Sequence, residues 1–301
     1  MRRRWIRLVL AVTVLTATAG CGLAPRSAGS ELTDGWAVMP TPKPFVPDVG
    51  ACHPVATNGT GHRDDYTPVA CDRPHDLETV FVGIFTGTHA VSDRAPAHGS
   101  AARRVARRDC DQRVRQFLGD DWQAGRVRLD VVVPSAPAWS GGARWYRCDV
   151  GEMTSMQDRS LVTRTGSLAG TLGPDGELRW GCFNPGSVTG GDVDVLTPVA
   201  CAQPHRSEFA GLYVESDLPY DQFAANSDRV HERCRRVVAE YAALPVDDDL
   251  RHRVGTIYDY PFKDEWDDGN LTVRCLLWRD DPPLTGSVRG GGPAALPVRH
   301  D

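Results

Sequence analysis

A twelve-residue pattern, TPVAC-x-x-PH-x-x-E, occurs twice in this chain with eight positions identical. Thr67-Pro68-Val69-Ala70-Cys71-Asp72-Arg73-Pro74-His75-Asp76-Leu77-Glu78 recurs as Thr197-Pro198-Val199-Ala200-Cys201-Ala202-Gln203-Pro204-His205-Arg206-Ser207-Glu208. Around this seed the similarity extends both ways. Cys52 precedes Cys71 by 19 residues, and Cys182 precedes Cys201 by 19. Downstream, Pro134, Trp139, Gly142, Arg147 and Cys148 match Pro261, Trp266, Gly269, Arg274 and Cys275 at a constant offset of 127. Both halves close on a tag, Thr165-Gly166-Ser167-Leu168-Ala169-Gly170 and Thr285-Gly286-Ser287-Val288-Arg289-Gly290. A duplication must satisfy one fold twice, so it constrains the architecture more than any single motif. The copies span 47–172 and 177–292, with Pro174-Asp175-Gly176 as the turn between them.

The coarse elements also recur. Tyr66–Cys71 and Val193–Cys201 read as strands, as do Glu78–Phe85 and Glu208–Glu215. Pro96–Leu118 and Tyr220–Ala243 read as helices. Their apolar stripes carry Ala106, Cys110, Val114 and Phe117, and Val230, Cys234, Val237, Val238 and Tyr241. Arg126–Val133, Ala143–Met153, Arg253–Tyr260 and Asn270–Arg279 complete the strands. Each copy is therefore β-β-α-β-β. The expected fold is α+β: two tandem disulfide-stapled domains, each one amphipathic helix on a mainly antiparallel sheet.

There are nine cysteines. Four fall at matching places in each copy: Cys52, Cys71, Cys110 and Cys148, then Cys182, Cys201, Cys234 and Cys275. The spacings lack the close cysteine pair of a structural zinc site, and no redox C-x-x-C is present. An even set reads as disulfides, which need an oxidising compartment. The favoured wiring is Cys52–Cys71, Cys110–Cys148, Cys182–Cys201 and Cys234–Cys275.

The ninth cysteine, Cys21, belongs to an address. Met1–Arg7 is basic, and Leu8–Gly20 is an uncharged, mostly apolar run of 13 residues. This is a signal peptide over 1–20, too short for a membrane span of ~20 apolar residues. Thr18-Ala19-Gly20-Cys21 resembles a bacterial lipobox, although Thr18 stands where an aliphatic residue is usual. That chemistry would lipidate Cys21 and cut the chain before it. Palmitate-class acyl chains then hold the protein on the outer face of the cell membrane, stably because two chains insert. Arg2-Arg3-Arg4-Trp5-Ile6-Arg7 also resembles a twin-arginine signal; general secretion is the alternative. Residues 21–46 form the lipidated tether, rich in small residues and proline, and 293–301 a C-terminal tail.

The net charge is −5, near balance, which argues against a dedicated nucleic-acid binder, and loss of four leader arginines would make it −9. Copy 1 carries 15 cationic and 15 anionic side chains, copy 2 carries 12 and 20. Arg103, Arg104, Arg107, Arg108, Arg113 and Arg115 give the first helix a basic face, read as solvated rather than as a site for anionic polymer. His75 and Glu78, with His205 and Glu208, are the sharpest polar feature. At a strand start, alternation puts residues three apart on opposite faces. A His-x-x-Glu pair also lacks the third ligand of a zinc hydrolase. A turn motif is therefore preferred over a binding site, and that over catalysis. Trp139 and Trp266 read as core, with ligand stacking as the alternative. Asp264–Asn270 lacks the ligand order of a calcium loop and reads as a solvated turn. No nucleophile elbow, phosphate loop or dinucleotide fingerprint is present. No metal or cofactor is expected.

The combined set resembles actinobacterial exported proteins described as septum-formation-related. It comprises Gly50-Ala51-Cys52 and Gly181-Cys182, the P-V-x-C-x-x-P-H-x-x-E seed, the helix cysteine, the P-to-R-C block and the T-G-S-x-x-G tag. The resemblance spans both copies and implies a role in cell division, with no catalytic residues or cofactor attached. The expectation is a noncatalytic envelope component, bound to the membrane by its lipid and to a division protein or cell-wall polymer. An envelope hydrolase centred on the repeated His/Glu pair is the alternative.

Overall fold

A computed structural model of the chain describes residues 43–56, 59–189 and 192–299. The leader 1–20, Cys21 and the tether up to residue 42 lie outside the described residues. Among the described residues no helix is long and apolar enough to cross a membrane.

The first copy runs β1 (Cys52–His53), β2 (Thr60–Gly61), β3 (Leu77–Ile84), α1 (Ala101–Leu118), β4 (Val127–Pro134), α2 (Ala136–Ser140) and β5 (Trp145–Glu152). Its sheet has the order β1-β3-β5-β4-β2, antiparallel except for β2 on β4. The second copy runs β6 (Cys182–Pro185), β7 (Val188–Thr189), β8 (Asp192–Val193), β9 (Leu196–Val199), β10 (Ser207–Val214), α3 (Tyr220–Ala224), α4 (Ser227–Ala242), α5 (Leu250–Arg253), β11 (Gly255–Asp259), α6 (Lys263–Asp267), β12 (Thr272–Trp278) and α7 (Gly292–Ala295). Its main sheet is β11-β12-β10-β6-β9, wholly antiparallel, and β7-β8 is a separate two-stranded ribbon. The register repeats: Cys52 faces Glu78 and Cys182 faces Glu208. So does a β-bulge, between Thr79 and Phe81 and between Phe209 and Gly211.

Capping residues decide where the helices begin. Ser100 accepts from the Arg103 amide, so α1 starts at Ala101 rather than Pro96, and Gly119 in the left-handed region ends it. The second helical stretch breaks in two because Asn226 caps α4 through the Arg229 amide. Ala106, Cys110, Val114 and Leu118 bury one face of α1 on the sheet, and Val230, Cys234 and Val238 do so on α4. The expected strand at Tyr66–Cys71 is reduced to a single bridge, Val69 to Cys52. Pro54 lacks the N–H that would extend the pairing, whereas its counterpart Asn184 pairs with Thr197.

All four disulfides form as read: Cys52–Cys71, Cys110–Cys148, Cys182–Cys201 and Cys234–Cys275, with Cα separations of 5.2–5.3 Å. In each copy one bridge closes the N-terminal loop and the other pins the long helix to the last strand.

The copies are halves of one compact unit that begins at Pro44. Phe45 packs edge-on against Tyr66 at 4.8 Å, so the end of the expected tether belongs to the fold. The expected tail is also packed: Leu296 is fully buried among Val238, Leu250 and Leu284, and the Arg299 amide donates to His252 O. Met153 and Met156 from the end of copy 1, with Trp180 from the start of copy 2, cover the rear face of the second sheet at Phe183, Leu196 and Leu276.

Candidate functional site

The repeated glutamate holds the repeated tag. Glu208 is the second residue of β10, with its carboxylate buried. It accepts from Ser287 Oγ at 2.9 Å, from the Val288 amide at 3.0 Å and from Tyr241 Oη at 2.6 Å. His205 Nε2 lies 2.9 Å from Glu208 Oε1, and His205 Nδ1 donates to Gln203 O at 2.8 Å. In the first copy Glu78 accepts from Ser167 Oγ and the Leu168 amide, both at 2.8 Å. His75 Nδ1 donates to Arg73 O at 2.7 Å, while its Nε2 is buried without a hydrogen-bond partner among the described residues. The two-face expectation fails for His205. The strand begins only at Ser207, so alternation does not govern the turn residue before it, and its ring swings onto Glu208.

Cys182, His205 and Glu208 bring ligand-type atoms within 4.8 Å of one another, as do Cys52, Cys71 and Glu78. In both groups the sulfur belongs to a disulfide and is not the thiolate a metal requires. Both carboxylates already accept hydrogen bonds from the tag.

Trp139 and Trp266 are core residues, on the short helices α2 and α6. Each indole N–H ties down the loop that leads to the helical stretch: Trp139 donates to Ser92 O at 2.7 Å, and Trp266 to Leu218 O at 2.9 Å.

Two expected surface features are instead the joint between the copies. Asp268, read as part of a solvated turn, is buried. It accepts from the Gly99 amide, His98 Nδ1 and Arg103 Nε, each at 2.8 Å. Arg103 and Arg107, read as a solvated face, are also buried and reach Val131 O and Leu129 O. Arg104 donates to Asp267 O at 2.8 Å and pairs with Asp217 at 3.1 Å; Arg108 stays exposed. The first turn of the basic helix, Arg103 and Arg104, thus meets the acidic copy, while Arg113 and Arg115 are exposed as expected.

Sequence reasoning missed a buried polar chain behind the first sheet. Thr79 donates to Asp149 at 2.8 Å and accepts from His53 Nε2 at 2.9 Å; Arg147 Nε donates to Asp149 at 2.7 Å. Burial pushes the Asp149 carboxyl up to about 6 and the His53 imidazole down to about 4, the latter helped by the Arg147 charge. The hydroxyl stands between acid and base. A relay that activates a nucleophile would put it at the end. The neighbouring cleft beside Tyr66 and Arg147 holds only about 10 Å³. By position, His53, Tyr66, Thr79 and Asp149 correspond to Phe183, Leu196, Phe209 and Leu276, which are the apolar rear face of the second sheet.

A larger cleft, about 220 Å³, lies at the seam of the two copies. Tyr220, Tyr258, Tyr260 and Phe262 line it from copy 2, and Met156, Gln157 and Arg159 from copy 1. Arg159 binds Asp259 and Glu265 at 3.0 Å each and Tyr260 O at 2.8 Å, and stacks 4.3 Å from Phe262. Arg274 holds the other side of Asp259 at 2.6 Å. The signal was a difference between the copies: Val131-Val132-Val133-Pro134-Ser135 is matched by Tyr258-Asp259-Tyr260-Pro261-Phe262.

The sequence model of one protein family, described as septum formation, matches residues 49–275, about three quarters of the chain. No curated protein and no solved structure matches this chain.

Proposed function

Because this chain belongs to the septum-formation family, we propose that it is a noncatalytic binding component of septum formation, anchored by lipid at Cys21 on the outer face of the membrane. The observation that carries the noncatalytic part is the paired glutamate lock. Glu78 and Glu208, the acids that a His/Glu-centred hydrolase would need, are both hydrogen-bonded to the tag of their own copy. They act as internal fasteners. The leader, lipobox and signal-like charge carry the anchoring. The partner is a division protein or a cell-wall polymer.

The test is time-lapse imaging of an export-competent fluorescent fusion in dividing host cells, beside its Cys21→Ser variant. The expected result is recruitment of the parent to midcell before constriction and release of the variant from the membrane. Uniform peripheral signal through division would remove the septal role. Substrate turnover that disappears in a folded His75→Ala/His205→Ala protein would replace the binding reading with the enzymatic one.

A further inference from the structure

We infer that the cleft at the repeat seam is a saccharide site, taking a neutral or N-acetylated hexose strand against Tyr220, Tyr260 and Phe262. The inference rests on the binding reading above and names the ligand class and the place.

The duplication supplies an internal control. At the positions of Tyr258, Tyr260 and Phe262, the first copy has Val131, Val133 and Ser135, all buried. The fold therefore asks for small or aliphatic residues here. The second copy carries three aromatic rings instead, and Phe262 is 60% exposed. Rings with apolar faces and polar edges line sites where a ligand is apolar on one side and hydroxylated on the other. A pyranose has that character: C–H groups on its faces and hydroxyls around its rim.

The polar residues narrow the class further. Asp259 sits between Arg159 and Arg274, and Arg159 is fixed again by Glu265 and Tyr260 O. Fixed groups of this kind lose little conformational freedom when a ligand arrives. The lining offers an acceptor in the Asp259 carboxylate, a donor in the Arg159 guanidinium, and both roles in the Gln157 amide and the tyrosine hydroxyls. Hydroxyls donate and accept, so they can use all of these. A proline-rich segment presents carbonyl acceptors to the tyrosine hydroxyls but brings no donor for the Asp259 carboxylate, so it satisfies the lining less completely than a hydroxylated ring does. An anionic polymer would meet the Asp259 carboxylate on the copy that carries 20 anionic side chains against 12 cationic.

The test is calorimetric titration of the full, disulfide-bonded chain with the hexamer of N-acetylglucosamine and with cellohexaose. At least one should bind in the low-millimolar range or tighter. Phe262→Ala and Gln157→Ala should each weaken it, Phe262→Ala about tenfold, as loss of one stacking ring implies. Unchanged thermal midpoints would show both variants folded. A polyproline peptide should give no binding. Three results would overturn the assignment: neither saccharide binds, the variants bind as well as the parent, or only the peptide binds. If the cleft fails while the fusion still reaches midcell, the septal reading stands without it. If the fusion never reaches midcell, that reading fails whatever the cleft binds.

Discussion

Tyr241 on α4 donates its hydroxyl to Glu208 on β10 at 2.6 Å, a bond the first copy cannot make because Phe117 stands at the matching place. The second lock therefore joins helix, sheet and tag, whereas the first joins sheet and tag alone. Removing the Glu208 carboxylate leaves His205, Ser287 and the Val288 amide without their acceptor as well. Unmet buried polar groups cost about 1–3 kcal/mol each. Glu208→Ala should destabilise the protein by several kcal/mol in chemical unfolding, and Tyr241→Phe by about 1 kcal/mol. Equal effects of the two substitutions would show that Glu208 acts through Tyr241 alone.

The joint between the copies should behave as a buried ion pair. Asp268→Ala leaves the Arg103 guanidinium buried without its carboxylate, a loss of about 3–5 kcal/mol. The double change Arg103→Met/Asp268→Leu should recover much of that loss, because no uncompensated charge remains. A double-mutant cycle by thermal unfolding checks this; strict additivity would mean that the pair contributes no coupling.

The two halves should not fold apart. Cutting at Pro174-Asp175-Gly176 and expressing each copy alone exposes Phe183, Leu196 and Leu276 on one side and Met153 and Met156 on the other. The isolated second copy should aggregate or bind a hydrophobic dye, and co-expression with the first should rescue it. A monomeric, cooperatively unfolding second copy would overturn this.

The His53–Thr79–Asp149 chain makes a signed pH prediction. Asp149 is raised to about 6 in the folded state, from about 4 unfolded. The folded form thus binds the extra proton, and this group adds stability as pH falls from 6 to 4. His53 is lowered to about 4, from about 6.5 unfolded. There the unfolded form binds the proton, and stability is lost as pH falls from 6.5 to 4. The two slopes oppose each other in nearly one window. His53→Phe should therefore gain stability on acidification relative to the parent, and Asp149→Leu should lose it. Each difference amounts to about 3 kcal/mol across the window by linkage. Parallel stability profiles for the parent and both variants would sink the coupling.

The disulfides should contribute through the unfolded state. Replacing Cys110 and Cys148 together by serine opens a loop of 38 residues, worth roughly 4 kcal/mol in the chain-entropy model. Non-reducing peptide mapping should recover the four native pairs from the parent.

The architecture was legible because it is local and written twice. Helix stripes, strand positions and cysteine wiring each had a second copy to check against. The Glu–tag bond was not read, although both partners recur, because the contact spans 79–90 residues and only folding brings them together. Arg103 and Asp268 were misread for a related reason. A charge on a helix or turn looks solvated until the facing half of the molecule is known. The cleft is not legible in what the copies share, because Tyr258, Tyr260 and Phe262 are where they part.

The rear face of each sheet is closed by chain that comes before most of that sheet. Tyr66 lies beside His53 and Arg147, ahead of β3 and β5. Met153, Met156 and Trp180 all precede β6. On the rear faces, a chain that emerges N-terminus first therefore has its cover made before the sheet is finished. The helix-side cores instead wait for Leu168 and Leu172 in copy 1 and for Leu284, Val288 and the tail residue Leu296 in copy 2. The duplication has an arrow: copy 1 can act as the template on which copy 2 condenses, and the reverse order of the same two sequences would lack it.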